Sequence, residues 1–258
     1  MEDAIARIKD AGFKARFVLE FDTVARWSDK LKAQSINVLD FGCGQGIAAL
    51  GFALRRPDAS VHGIDIGAFQ GPLADKAREN LGLELPSNLD FHVLDGTSLP
   101  FADESMDLIY SWSVFEHIRM DLFPTILQDL RRVLKKDGHL FVQVDPLYFS
   151  PRGAHLYGII DEPWVHLLDQ HDVLVDRVMA RGKHASAIRQ YETLNRITEP
   201  ELAEKITSAG FRLLRRHRTD CGLTPPERLL RIYQPEVLTT NTVYMLACKE
   251  QAAEKGPS

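Results

Sequence analysis

The run Val38-Leu-Asp-Phe-Gly-Cys-Gly-Gln-Gly46 constrains what this chain can fold into more than any other stretch. Ile36 to Leu39 is short, apolar and rich in β-branched residues, which suits a buried parallel strand. Gly42, Gly44 and Gly46 follow at once. Ile47 to Arg56 then reads as a helix stopped by Pro57. Strand, glycine turn and helix are the opening of a nucleotide-binding βαβ unit. Side chains in such a turn would keep a ligand from the backbone amides, so glycine is required there. A dinucleotide fingerprint places its third glycine three residues after the second, where this chain has Ile47. Asp40 lies at the end of the strand. Its carboxylate repels a pyrophosphate and attracts a cationic or amine-bearing ligand.

The rest of the chain alternates in the same way. Residues 3–34 read as helices with an apolar face containing Phe13, Phe17, Leu19, Phe21, Val24 and Trp27. That face suits either packing on the sheet or a partial lid over a ligand. Ser60 to Asp65 is the second strand, and Asp65 at its end can accept two hydrogen bonds from a ribose diol. Ile66 beside it is positioned to touch an adenine face. A helix spans roughly Gln70 to Leu83. Leu89 to Leu94 is the third strand, followed by Asp95-Gly96-Thr97, where Asp95 also suits an Asx turn. Met106 to Ser111 is the fourth strand and leads into Trp112-Ser-Val-Phe-Glu-His-Ile118. The next helix runs through Leu134 and stops at Lys135-Lys-Asp-Gly138. His139 to Val144 is the fifth strand. Thr198 and Glu201 form a capping box for a helix ended by Gly210. Phe211 to His217 and Thr242 to Cys248 are the last two strands, the final one expected at the antiparallel edge.

Taken in order, Val38 to Gly46, the strand-end Asp95, Asp107 before an apolar strand, Ser111, Glu116-His117-Ile118 and the glycine-led fifth strand resemble the motifs of class I S-adenosylmethionine-dependent methyltransferases. The resemblance covers about residues 36–145 strongly and 198–248 weakly. It implies an α/β fold: a Rossmann-like, doubly wound, seven-stranded, mostly parallel sheet with an antiparallel edge strand, plus a cap insertion. It also implies S-adenosyl-L-methionine as cofactor, held by Asp40, Gly42, Cys43, Gly44, Asp65, Ile66, Asp95, Gly96, Thr97, Ser111 and Trp112. The turn would cradle the amino-acid end of the cofactor, and Asp95 would meet the adenine amino group.

His117 follows the fourth strand by a few residues, and its unperturbed pKa lies close to neutrality, so it is a candidate general base. It equally suits a packing role at the start of a helix. Asp145, at the end of the fifth strand, would orient an acceptor or the histidine, or cap the loop. The expected organisation is one methyltransferase domain over 1–258, with N-terminal helices 1–35 and a substrate-cap insertion at 146–197. His155, Tyr157, Trp164, His166 and His171 give that insertion aromatic and hydrogen-bonding surface suited to sugars or aromatic rings. Its histidines lack the paired spacing of a zinc site, so no metal is expected.

Composition narrows the function classes further. The chain has 258 residues, a net charge of −5 and a pI near 6.0, which argues against bulk nucleic-acid binding. Arg215-Arg216-His217-Arg218 reads as a solvated strand end. Cys43, Cys221 and Cys248 are too few and too far apart for a disulfide framework, which fits a reducing cytoplasm. Cys43 reads as a small filler of the turn, since no base stands beside it. No run reaches membrane-spanning length, no signal peptide or internal repeat is evident, and 251–258 reads as a disordered tail. The expected activity is methyl transfer to a small molecule or glycan, with O-methylation leading and N- and C-methylation open. The alternatives are an NAD(P)-dependent oxidoreductase and a non-catalytic S-adenosylmethionine-binding regulator. The oligomeric state is left open.

Overall fold

The computed structural model describes residues 2–182 and 184–250; the expected disordered tail lies outside the described residues. Seven strands form one sheet in the order β3-β2-β1-β4-β5-β7-β6. They are β1 Asn37–Phe41, β2 Ser60–Asp65, β3 Leu89–Val93, β4 Met106–Trp112, β5 Leu134–Val144, β6 Phe211–Asp220 and β7 Thr240–Lys249. β1 to β5 are mutually parallel, whereas β7 runs antiparallel to both β5 and β6. The reversal of direction from β1 outward places β2 and β4 on opposite sides of it. This switch point is where an open α/β sheet accepts ligands, at the strand carboxyl ends.

Helices α1 Glu2–Arg7, α2 Ala11–Lys14 and α3 Phe21–Trp27 precede the sheet, and α2 joins α3 through a π turn at Ala15–Glu20. α4 Ile47–Arg55 and α5 Leu73–Leu81 follow β1 and β2; α6 Phe123–Val133 follows β4. One face of the sheet packs Leu39, Ile109 and Leu140 against Leu127 and Leu130 of α6 and Leu202 and Ile206 of α10 (Glu199–Ser208). The other packs Val38, Tyr110 and Phe141 under Phe52 of α4 and Val24 of α3. Residues alternate across the strands, and burial on both faces explains the near-continuous apolar runs.

Two sequence expectations are corrected. Lys135 to Gly138 belongs to β5 rather than to a helix end. Pairing jumps from Met106↔Leu134 to Leu108↔His139, so the four residues between bulge out of the ladder. β7 is one position inside the sheet; the outermost strand at that end is β6, which pairs antiparallel to it.

The N-terminal face packs on the sheet layer. Phe13 and Phe17 are buried against Ile47 and Leu50 of α4 and Leu73 of α5. The π turn frees the Phe17 carbonyl, which accepts a hydrogen bond from Arg55 Nη1 at 2.7 Å. The same guanidinium lies over the rings of Phe17 and Phe21. Such close approach requires a glycine below: a Cβ on Gly51 would stand 2.6 Å from the Phe17 oxygen. Gly51→Ala should therefore destabilise the fold by about 1–3 kcal/mol, the range of overpacked sites. Urea unfolding reads this directly, and an unchanged midpoint would show that the π turn carries no fixed contact with α4.

Candidate active site at the strand carboxyl ends

The glycine turn is shaped by three different demands. A Cβ on Gly42 would strike Val114 at 2.2 Å, and one on Gly46 would strike Phe91 at 2.5 Å. Gly44, at φ 51°, has nothing within 4 Å of its Cβ position, so its bare backbone faces open space. The Gly44 N–H donates to Asp65 Oδ2 at 2.7 Å, and Ile66 N–H donates to Asp65 Oδ1 at 2.7 Å. One carboxylate thus ties the turn after β1 to the end of β2. Ile66 is 78% exposed beside it, and Asp95 and Gly96 lie exposed just past β3. Ser111 is fully buried, and its hydroxyl donates to the Phe41 carbonyl at 2.9 Å, fixing the end of β1 against β4. Trp112 packs against Phe141 and Tyr244.

Asp40 is buried under this turn, and its Oδ2 has no hydrogen-bond partner among the described residues. Burial pushes its carboxyl up to about 7. Glu20, at the end of the π turn, is also buried and is raised well above its ordinary value by burial and by the Asp40 charge. Two carboxylates with this little water suit a positively charged neighbour better than an anionic one. The Cys43 thiol is raised by burial and the Asp40 charge, and Gln70 Nε2 lies 3.4 Å from its sulfur. It therefore stays protonated and fills the turn.

A second cluster stands at the ends of β4 and β5. Phe115–His117 forms a 3₁₀ turn, so His117 sits before α6 rather than opening it. Asn195 clamps this turn: its Nδ2 donates to the carbonyls of Phe115 and Ile118, both at 2.7 Å, and its N–H donates to the Glu116 carbonyl at 2.8 Å. Burial and the nearby His155 hold the His117 imidazole down to about 4, so it is neutral at physiological pH. Asp145 Oδ1 accepts from Thr242 Oγ1 at 2.6 Å and from Asn241 Nδ2 at 2.9 Å. Glu116 is buried with neither oxygen hydrogen-bonded among the described residues, and burial raises it to about 8. His155 lies edge-on to His117, with ring centroids 5.3 Å apart.

The structure thus brings the predicted Asp40, Gly42, Cys43, Gly44, Asp65 and Ile66 together at β1 and β2, and His117 with Asp145 at β4 and β5. Of the insertion's aromatic residues, His155 and Tyr157 reach the second group. His166 is buried inside the insertion with Nε2 against the Tyr148 carbonyl, and His171 stacks on Tyr191. Trp164 anchors the insertion, its indole donating to the Leu238 carbonyl at 3.2 Å. Sequence reasoning missed the site role of Glu20 and Asn195 and the short helices within 221–239. No group of acidic, cysteine or histidine residues with metal-binding geometry occurs among the described residues.

Residues 38–138 match a methyltransferase-domain family. Over 105 residues the chain is 33% identical to methyltransferase GfsG of Streptomyces halstedii, covering 41% of this chain and 36% of the relative. Over 176 residues it is 30% identical to a malonyl-[acyl-carrier protein] O-methyltransferase of Halorhodospira halophila, covering 64% of this chain and 55% of the relative. The chain therefore spans about a third to a half of these relatives' own lengths. Geranyl diphosphate C-methyltransferase from Streptomyces coelicolor shares the fold, with a TM-score of 0.55, 15% identity, and coverage of 90% of this chain and 79% of that one. Residues 38–138 are thus similar to a methyltransferase domain, and the solved structure shows the shared fold.

The buried Asp40 has a testable consequence for stability. Its folded pKa of about 7 lies above the ordinary 3.8. Between those values the folded protein holds a proton that the unfolded chain has lost, so stability falls as pH rises through that window. Asp40→Asn removes this dependence. The variant should gain on the wild type by about 1 kcal/mol or more on going from pH 5 to pH 8. Urea midpoints at the two pH values read the difference, and an equal offset at both would contradict a buried, proton-holding Asp40.

Proposed function

We propose that the chain transfers a methyl group from S-adenosylmethionine to a small molecule or glycan, with a hydroxyl oxygen the leading acceptor. The observation that carries this reading is the open face of Gly44 next to the Asp65 carboxylate, on the edge where the sheet accepts ligands. The residues fit the cofactor. Asp40, with its unpartnered buried oxygen, suits the amino-acid end, together with Gly42, Cys43 and Gly44. Asp65 suits a ribose diol, and exposed Ile66 suits an adenine face. Asp95, Gly96 and Thr97 follow β3 on the same edge, and Ser111 and Trp112 support the turn from β4.

When bound, the cofactor supplies a methyl group already activated on a sulfonium. The protein's task is then alignment, water exclusion and handling of one proton. His117 and Asp145 stand at the proposed acceptor end, with His155 edge-on to His117. Residues 146–197 are the proposed acceptor cap. They carry their own apolar core of Tyr148, Leu156, Val165, Leu174, Val178 and Tyr191. Leu167 packs against both that core and the cluster of Trp164 with Leu229 and Leu238 of the segment 221–239. Among the described residues no helix is long and apolar enough to cross a membrane.

Calorimetry should detect S-adenosylhomocysteine binding and no heat from NAD. Asp65→Ala should weaken that binding by about 1.5–3 kcal/mol, the scale of hydrogen bonds to a charged group. Asp65→Asn, which keeps one acceptor for Gly44 N–H, should lose less. Tight NAD binding without a response to the homocysteine derivative would overturn the reading. Hydrogen exchange offers a separate check on the cap: amides in 146–197 should exchange faster than those of β1 and β4. Protection equal to that of the sheet would contradict a movable cap.

A further inference from the structure

We infer that His155 is the proton acceptor of the side-chain cluster at the ends of β4 and β5, with Nδ1 as the basic atom and His117 as the imidazole that packs against it. This rests on the methyl-transfer reading above. His155 Nε2 lies 3.1 Å from the Pro146 carbonyl oxygen. A carbonyl can only accept, so Nε2 carries the hydrogen in that contact. The neutral ring then has its lone pair on Nδ1. The carbonyl thus fixes the tautomer, as the orienting partner of a catalytic histidine must.

The backbone supports a held orientation. His155 sits at φ 56°, a left-handed conformation that non-glycine residues rarely adopt. A Cβ on Gly153, two residues earlier, would stand 1.9 Å from the Tyr148 carbonyl oxygen, so the loop has no room to relax there. The ring is therefore presented at the end of β5 by a tight loop rather than by a flexible arm.

The surroundings favour His155 over His117 as the residue that gains charge. The ionisable groups around it are His117 from the 3₁₀ turn, Asp145 at the end of β5, Tyr157 on its own loop and His166 from the insertion. Burial lowers His155 below its ordinary value, while the Pro146 carbonyl and the Asp145 charge pull it upward. His117 has burial and His155 both acting downward. Like-charge repulsion lets only one imidazole of the pair hold a proton. Of the two, His155 is the ring held by the Pro146 carbonyl with Asp145 nearby. In the step, the acceptor O–H bond breaks and its proton passes to Nδ1. The oxygen's electron pair forms the bond to the methyl carbon, and the pair of the broken carbon–sulfur bond stays on sulfur. Positive charge moves from the sulfonium to the imidazolium, which Asp145 and Pro146 face, and then discharges to water.

The deciding experiment needs no acceptor. Nitrogen-15 NMR of histidine-labelled full-length protein at pH 7.5, assigned with His155→Gln and His117→Gln, should show His155 neutral with hydrogen on Nε2. Hydrogen on Nδ1, or a charged ring at that pH, overturns the proposal. Calorimetry with S-adenosylhomocysteine on the same samples separates the two claims. Binding with the wrong tautomer removes only the His155 assignment, whereas no binding removes the methyl-transfer reading beneath it. Methyl transfer to catechol adds a kinetic arm. His155→Gln keeps a donor for the Pro146 carbonyl, so it should bind S-adenosylhomocysteine within about twofold. It should lose about 10²–10⁴-fold in kcat together with the acid limb of the pH profile. Full turnover in His155→Gln would also overturn the assignment.

Discussion

The hydrogen bond from Gly44 N–H to the Asp65 carboxylate is the contact on which the rest of the site depends. It joins the turn after β1 to the end of β2 across the neighbouring strand pair. Glycine suits position 44 because the residue sits at positive φ, and a side chain there would occupy the open space beside the Asp65 carboxylate. The other glycines of the turn answer different neighbours: Val114 below Gly42 and Phe91 below Gly46. The packing of β1 to β3 thus holds an opening rather than filling it. A carboxylate that accepts backbone donors on both oxygens is oriented before any ligand arrives, which is the arrangement expected of a preformed binding edge.

Around this edge the protein buries carboxyl groups at some expense to stability. Asp40, Glu20 and Glu116 are each nearly inaccessible, and burial raises all three carboxyl groups. A fold optimised only for stability would replace them with apolar residues of similar size. They lie at two places, under the glycine turn and at the end of β4. Those are the positions proposed for the cofactor's amino-acid end and for the acceptor. Raised carboxyl groups that gather at one edge of a sheet support the site proposed there.

Much of this was legible in the sequence because it depends on local patterns. Apolar runs bounded by glycine and aspartate placed β1 to β4, and Thr198 with Glu201 marked the start of α10, where both halves of the capping box form. What escaped depends on contacts distant in sequence. The π turn that directs Glu20 toward Asp40 is set by Arg55 and Gly51, more than thirty residues on. The clamp by Asn195 on the 3₁₀ turn spans 80 residues at its Phe115 contact. The position of β7 inside β6 is fixed by pairing, not by either strand's composition. His155 and His166 are equivalent in sequence as polar aromatic residues of the insertion. Only the fold separates the one at the strand ends from the one in the insertion's core.

The most direct test of the account is a crystal structure of the full chain grown with S-adenosylhomocysteine. The account predicts the ribose hydroxyls within hydrogen-bond distance of Asp65, the amino-acid end over Gly42 to Gly46 near Asp40, and the sulfur directed toward the ends of β4 and β5. A ligand bound at another surface, or a glycine turn left empty at saturating concentration, would contradict it.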